Sequence, residues 1–247
     1  PPTHPPSYPP YWRGLSSPAP AFGEIDGDGT TELVLGGAGG ELVVFDSGAD
    51  GTLTPVPDDQ SPAAGVELPK GAMPTVGDTD GNGHADVVVG AVDGTLTLLH
   101  NSGGGAVGSL TAADPPSAVD GIRVGGDSAP ALVDLNGDGT LDLLVGDGDG
   151  RVSYVPNTGT ADAPAYDDYD GAASGCSSRR LDAGLVCDGA VPLAVAGHAA
   201  PTTADLDGDG DLDIVVGNSG GSPSRILINP KAPGVAATAI RDTLSTT

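Results

Sequence analysis

Four near-copies of one short unit constrain this chain more than any other feature. They are EIDGDGTTELVLG from Glu24 to Gly36, DTDGNGHADVVVG from Asp78 to Gly90, DLNGDGTLDLLVG from Asp134 to Gly146, and DLDGDGDLDIVVG from Asp205 to Gly217. Each sets oxygen-bearing side chains two residues apart, separates them with glycine, and runs into three apolar residues and a closing glycine. A unit this small cannot bury its apolar strand alone, so self-similarity on this scale means stacking of neighbours. The first acidic residues, Glu24, Asp78, Asp134 and Asp205, are 54, 56 and 71 residues apart. Propeller blades repeat at about 40–50 residues and upward, so the spacing fits one unit per blade.

Each repeat has the same order of parts. A short strand comes first (PAFGEI, MPTVGD, APALVD, APTTAD), then the acidic loop, then a continuous apolar strand (ELVLG, DVVVG, DLLVG, DIVVG). A Gly-rich turn leads to an alternating strand (ELVVFD, TLTLLHN, RVSYVPN, SRILINP). Continuous apolar runs suit burial on both faces, and alternating ones suit a strand with one wet side. The turns GGAGGE, GAVDGT, GDGDGR and GNSGGS carry the residues tight hairpins need. The expected fold is therefore all-β. A fourth strand per repeat is expected at GTLTPV after repeat one and GIRVGG after repeat two. After repeat three the candidates are AYDDYDG with the following insert, and VPLAVAG; APGVAATAIRDTLSTT at the end reads as a closing strand or a tail.

Numbering each loop from its first acidic residue, positions 1, 3, 5 and 9 carry oxygen ligands. They are Glu24, Asp26, Asp28 and Glu32; Asp78, Asp80, Asn82 and Asp86; Asp134, Asn136, Asp138 and Asp142; and Asp205, Asp207, Asp209 and Asp213. Position 7 offers a backbone carbonyl at Thr30, His84, Thr140 and Asp211. A hard cation that takes six to eight oxygens is matched by this set, with water completing the shell. The absence of Cys and Met from the set selects calcium over zinc or copper, and the flexible loop disfavours magnesium. Glycine at positions 4 and 6 lets the backbone wrap, since it adopts positive φ cheaply. An EF-hand would need a bidentate Glu at position 12 between helices. Here position 12 is Leu35, Val89, Val145 or Val216, inside a strand. Up to four calcium ions are expected, one per repeat. Loop one departs from the pattern, because Glu24 and Glu32 change the cavity.

The pattern D-x-[DN]-G-[DN]-G-x-x-D followed by three apolar residues and Gly resembles the FG-GAP / VCBS repeat of integrin α-chain-like β-propellers, over roughly residues 20 to 230. The resemblance implies an all-β β-propeller with four recognisable blades and a calcium loop between the first two strands of each. Loops two to four match it residue by residue.

Charge narrows the partners. The net charge is −25, which disfavours nucleic acid and an anionic membrane surface, both of which call for a basic face. Fourteen of the carboxylates occupy ligand positions in the four loops, and four divalent cations would bring eight positive charges against them. No stretch is apolar enough for a membrane span, so membrane insertion is not expected. The 41 glycines and 23 prolines would border on low complexity, but the glycines sit at fixed repeat positions.

Outside the repeats, residues 1–20 form a proline-rich arm favouring extended polyproline II, residues 21–231 hold the repeats, and residues 232–247 form the final strand or tail. The arm carries Tyr8, Tyr11 and Trp12, three of eight aromatic residues in the chain. That much apolar surface is expected to dock, on its own chain or on a neighbour. Cys176 and Cys187 lie in one non-repeating insert and read as a disulfide in an oxidising compartment. The chain opens without an initiator Met or a signal peptide, as a processed mature chain or a fragment, so a missing leader does not argue against secretion. Ser/Pro segments such as SSPAP and PPSYPP are also candidates for O-linked sugars.

Enzyme signatures are thin. Gly217–Gly221 fits G-x-S-x-G, but a nucleophile elbow must join a strand to a helix, and this stretch aligns with the hairpin turns of the other repeats. GGDSAP from Gly125 to Pro130 has no accompanying His and Asp partners, and no catalytic residue is assigned. The expected role is a secreted, extracellular, calcium-stabilised structural or adhesive protein, partnered by other extracellular proteins or copies of itself. One form is a subunit of a wall or filament assembled through the arm. The alternative is a calcium-dependent lectin-like module that takes glycans, which the scarcity of aromatic platforms weakens. A hydrolase is a distant third.

Overall fold

A computed structural model describes residues 15–48, 50–103, 109–113, 117–166, 194–221, 224–228 and 238–240 of the 247. Among them are fifteen strands and no helix. The first sheet is β1 (Ala19–Gly23), β2 (Glu32–Gly36), β3 (Leu42–Ser47) and β4 (Leu53–Pro55). The second is β5 (Met73–Gly77), β6 (Asp86–Gly90), β7 (Leu96–Asn101) and β8 (Leu110–Ala112). The third has β9 (Ala129–Val133), β10 (Asp142–Gly146) and β11 (Val152–Val155). The fourth has β12 (Ala199–Ala204), β13 (Asp213–Asn218), β14 (Arg225–Ile228) and β15 (Thr238–Ile240). Every sheet is an antiparallel meander in chain order.

Register follows the repeat. β1 pairs with β2 from Ala19↔Gly36 to Gly23↔Glu32, and β5 with β6 from Met73↔Gly90 to Gly77↔Asp86. The continuous apolar strands β2, β6 and β10 are buried along their whole length, as runs without polar alternation require. Their side chains alternate between two neighbouring layers. Val34 and Val44 of the first sheet share one apolar cluster with Val87, Val89 and Leu99 of the second. Val88 and Leu98 share the next with Leu143, Val145 and Val155 of the third. Val133 and Leu144 share another with Ile214 and Val216 of the fourth. The core is thus a series of interfaces between successive sheets.

One glycine closes each junction. A Cβ on Gly36, Gly90 or Gly146 would overlap the carbonyl oxygen of Ala72, Ser128 or Ala199 at the start of the next sheet. The backbones that approach so closely are also hydrogen-bonded. Ala72 N–H donates to the Gly37 carbonyl (3.0 Å), Ser128 N–H to Ala91 (3.0 Å) and Ala199 N–H to Asp147 (2.9 Å). At the second junction the buried Ser128 hydroxyl accepts from Ala91 N–H (2.7 Å) and lies 2.8 Å from the Thr95 carbonyl, to which it donates. The serine of GGDSAP is therefore a structural staple. Ser128→Ala leaves the Ala91 N–H and the Thr95 carbonyl without it and is expected to cost about 1–3 kcal/mol, read as a fall in the urea midpoint. An unchanged midpoint would remove the staple.

The fourth strands depart in part from expectation. In the first sheet β4 falls within GTLTPV, and in the fourth β15 falls within the C-terminal segment, as a closing strand. In the second sheet the fourth strand is Leu110–Ala112 and not GIRVGG. Ile122 and Val124 alternate because a turn inserts them into the core between the second and third sheets. Positive φ at Gly121 and Gly126 ends extended backbone on both sides, and Arg123 forms only an isolated bridge to Thr95. Ala194, from VPLAVAG, makes the equivalent bridge to Arg151 in the third sheet. The cysteine insert, with Cys176, Cys187 and Tyr169, and arm residues 1–14 lie outside the described residues. β1 already begins at Ala19, inside the last residues assigned to the arm.

Candidate metal loops

The four acidic loops join β1 to β2, β5 to β6, β9 to β10 and β12 to β13, so each lies at the same corner of its sheet. Glycines at positions 4 and 6 all have φ between 71° and 94°, in the left-handed region that a Cβ disfavours. That turns their N–H groups onto the position-1 carboxylate. Asp78 accepts from Gly81 (2.8 Å) and Gly83 (3.0 Å), Asp134 from Gly137 (2.8 Å) and Gly139 (2.9 Å), and Asp205 from Gly208 (2.7 Å) and Gly210 (3.1 Å). In loop one the longer Glu24 accepts from Gly27.

Positions 3 and 5 build two short side-chain turns. Asp26, Asp80, Asn136 and Asp207 each accept from the N–H two residues on, at 2.8–3.2 Å. Asp28, Asn82, Asp138 and Asp209 do the same for Thr30, His84, Thr140 and Asp211, at 2.7–2.9 Å. The hydroxyls of Thr30 and Thr140 add a second bond to Asp28 and Asp138 (2.7 and 2.6 Å) and hold both carboxyls below the usual carboxylate range.

Position 9 is the buried member. Glu32, Asp86, Asp142 and Asp213 are each 0% exposed, at the first residue of the apolar strand. Each fastens the loop by accepting the N–H of position 2: Ile25 (2.7 Å), Thr79 (2.9 Å), Leu135 (3.2 Å) and Leu206 (2.8 Å). Asp86 takes the Thr79 hydroxyl as well, and Asp86 and Asp142 also accept from Asn101 and Asn157 N–H (both 2.8 Å). The Asn101 amide then donates to the Ile25 carbonyl (2.8 Å), tying loop one to the second sheet.

Three loops bring oxygens together. Glu24, Asp26 and Glu32 in loop one, and Asp205, Asp207 and Asp213 in loop four, offer ligand atoms all within 4.8 Å of one another. Loop two gathers Asp80 and Asp86 with His100, whose Nδ1 lies 3.6 and 3.7 Å from the two carboxylates. Burial pushes Asp26 and Glu32 above the usual carboxylate range, and nearby carboxylate charge adds to the rise. Asp207 is raised the same way, with Asp209, Asp213 and Asp205 contributing. A divalent cation among these groups would reverse that cost, and the all-oxygen sets of loops one and four suit a hard ion.

Loop three gathers no such cluster among the described residues. The Tyr154 hydroxyl donates to Asp142 Oδ2 at 2.9 Å, the same oxygen that takes Leu135 N–H, while Asn157 N–H holds Oδ1. Burial raises the Asp142 carboxyl, and these three bonds pull it back. Loop one, the departure in sequence, therefore converges, and loop three does not.

The third strand supplies residues that the loop pattern does not contain. His100 at the end of β7 faces loop two. Asp46, one sheet earlier, is raised by burial and by the charges of Asp26 and Asp28 in loop one. In the remaining enzyme-like stretch, Gly217–Gly221 runs from the end of β13 into a turn that leads to another strand. The Ser219 oxygen there accepts from His198 N–H at 3.1 Å.

These features define an all-β repeat protein built of sequential antiparallel meanders, each with an acidic loop between its first two strands. The family model for the FG-GAP-like repeat matches residues 25–89 and 78–145, and that for the FG-GAP repeat matches residues 197–234. The chain belongs to the FG-GAP repeat family. No curated protein matches the chain.

Proposed function

We propose that this is a secreted calcium-binding protein of structural or adhesive role, with its four sheets as blades of a β-propeller. The observation that carries the reading is the buried carboxylate at position 9 of every loop, which fixes one wall of the loop against the sheet. In loops one and four it stands beside further carboxylates within 4.8 Å. FG-GAP repeats often bind calcium and are typical of extracellular or surface proteins, generally in structural or adhesive roles. No helix among the described residues is long and apolar enough to cross a membrane. The residues that would hold the ion are those at positions 1, 3 and 9, with positions 5 and 7 completing the oxygen shell. The ion would supply charge neutralisation and a cross-link between the loop and its strand.

The assembly part of the proposal rests on the proline-rich arm, whose three aromatic residues stand out in an aromatic-poor chain. Removing residues 1–14, which spares β1, is expected to reduce higher-order assembly well below the wild-type level without lowering the melting temperature by more than a few degrees. Light scattering reads the first and calorimetry the second. Assembly of the truncated chain at the wild-type level would sink the arm's role.

A further inference from the structure

The three junctions between successive sheets reuse one contact, and among the described residues the first and the fourth sheet each carry an unused half of it. On the receiving side, Gly36, Gly90 and Gly146 lie against the rings of Pro74, Pro130 and Pro201 in the next sheet. Gly217 holds the same register place in the fourth sheet, opposite Ala200. Among the described residues, the nearest atom to its Cβ position is the Ala200 carbonyl oxygen of its own sheet, at 3.7 Å. Val215 and Gly217 are correspondingly half-buried, where β2, β6 and β10 are buried throughout. On the donating side, Pro20 faces Leu35 across β1–β2 as Pro74 faces Val89, Pro130 faces Val145 and Pro201 faces Val216. The other three prolines are buried and Pro20 is exposed. Phe22, two residues on, is 64% exposed.

The backbone before β1 repeats part of the same junction. Ser17 has a left-handed φ of 50°, as Gly71 (76°) and Asp127 (46°) have at the same place before the second and third sheets. Those two turn their N–H groups back to the Ala38 and Val92 carbonyls of the preceding sheet, at 3.0 and 2.9 Å. Ser17 keeps that backbone with no described sheet before it, held within its own sheet by the Ser16 carbonyl, which accepts from Ala38 N–H at 3.0 Å. His198, at the same place before the fourth sheet, lacks the positive φ and donates to Ser219 of its own sheet, so the turn accompanies two of the three internal junctions.

We propose that the Ser17–Phe22 edge of one copy docks on the Gly217 edge of the fourth sheet of a second copy, repeating between molecules the junction used within one. The two halves are different surfaces of the same chain, so the contact is heterologous and propagates into a ring or a filament. It is weaker than the internal junctions for a stated reason: Pro18, which has no N–H, stands where Ala72, Ser128 and Ala199 donate to the preceding sheet. Among the described residues the uncovered strip is β1 itself, because Leu33, Leu35 and Phe45 on the same face are already buried beside Leu15. Neither the arm nor a metal ion takes part.

Sedimentation velocity of the full chain over a concentration series tests this. The expected result is concentration-dependent association that Gly217→Ala and Pro20→Asp each weaken by roughly tenfold or more, as overpacking or a buried charge does at a close contact. Both variants should keep the wild-type melting temperature, since a Cβ at Gly217 meets only an ordinary contact within the monomer and Pro20 is exposed. Gly90→Ala, inside a junction, should instead lower it. Removing residues 1–14 should leave this association in place, which separates it from assembly through the arm. A wild-type chain that stays monomeric across the series would overturn the proposal, as would association untouched by both substitutions.

Discussion

Asp142→Ala, like Asp86→Ala at the same place in the second sheet, is expected to be far more damaging to the metal-free protein than substitution of an exposed carboxylate of the acidic loops. The Asp142 carboxylate is fully buried and accepts from Leu135 N–H, Asn157 N–H and the Tyr154 hydroxyl. Alanine leaves all three donors without their acceptor, two of them in buried positions. Each buried donor without a partner costs about 1–3 kcal/mol, and removing the acceptor of a buried charged network costs about 3–5 kcal/mol in comparable cases. A loss of about 4 kcal/mol is therefore expected, or a melting temperature lower by roughly 10 °C for a domain of this size. Asp138→Ala is the matched control in the same loop. That carboxylate is exposed and bonds to Thr140 and Asn136, so its loss is expected to cost less than about 1 kcal/mol. Both should be melted in chelator, so that the difference reports hydrogen bonding alone. Equal losses would mean that position 9 is no anchor.

On the proposed function, calcium itself has the second large effect. Extracellular calcium modules bind at about 10⁻⁴–10⁻³ M. At ten times the dissociation constant a site adds about 1.4 kcal/mol to the folded state, and several sites together add several kcal/mol. For a chain of this size the melting temperature should rise by roughly 10 °C or more between chelator and millimolar calcium. Magnesium at the same concentration should give much less, because it keeps its waters and demands a tighter octahedral shell. Loops one and four, where three carboxylates already converge, are expected to saturate first. A melt that calcium and chelator leave unchanged would remove the metal reading altogether. It would leave the hydrogen-bond argument for Asp142 intact.

Much of the local architecture was legible in the spacing of residues. Glycine at positions 4 and 6 announced a backbone with positive φ, and all eight of these glycines have it. The apolar runs before Gly36, Gly90 and Gly146 announced strands covered on both faces, and those strands are. The alternation of Ile122 and Val124 misled, because a turn pressed into a core produces the same two-residue period as a strand. Leu110–Ala112, which pairs instead, is too short for pattern to reveal.

The sequence by itself determined the repeating unit, the all-β class and the oxygen-rich loops. These are properties of a few adjacent residues: a glycine where φ must be positive, an apolar run that must be buried, a carboxylate within reach of the next N–H. Only the tertiary structure decided which loops gather their carboxylates, because the deciding groups come from another strand. At the register place occupied by Val44, Leu98 and Ile226, the third sheet has Tyr154, and its hydroxyl claims the oxygen that loop three would offer. His100 and Asp46 reach loops two and one from the same side. The closing glycines Gly36, Gly90 and Gly146 likewise acquire their purpose only when the backbone of the next sheet arrives against them. Contacts between strands far apart in the chain are set by how the sheets stack, which spacing within one repeat does not encode.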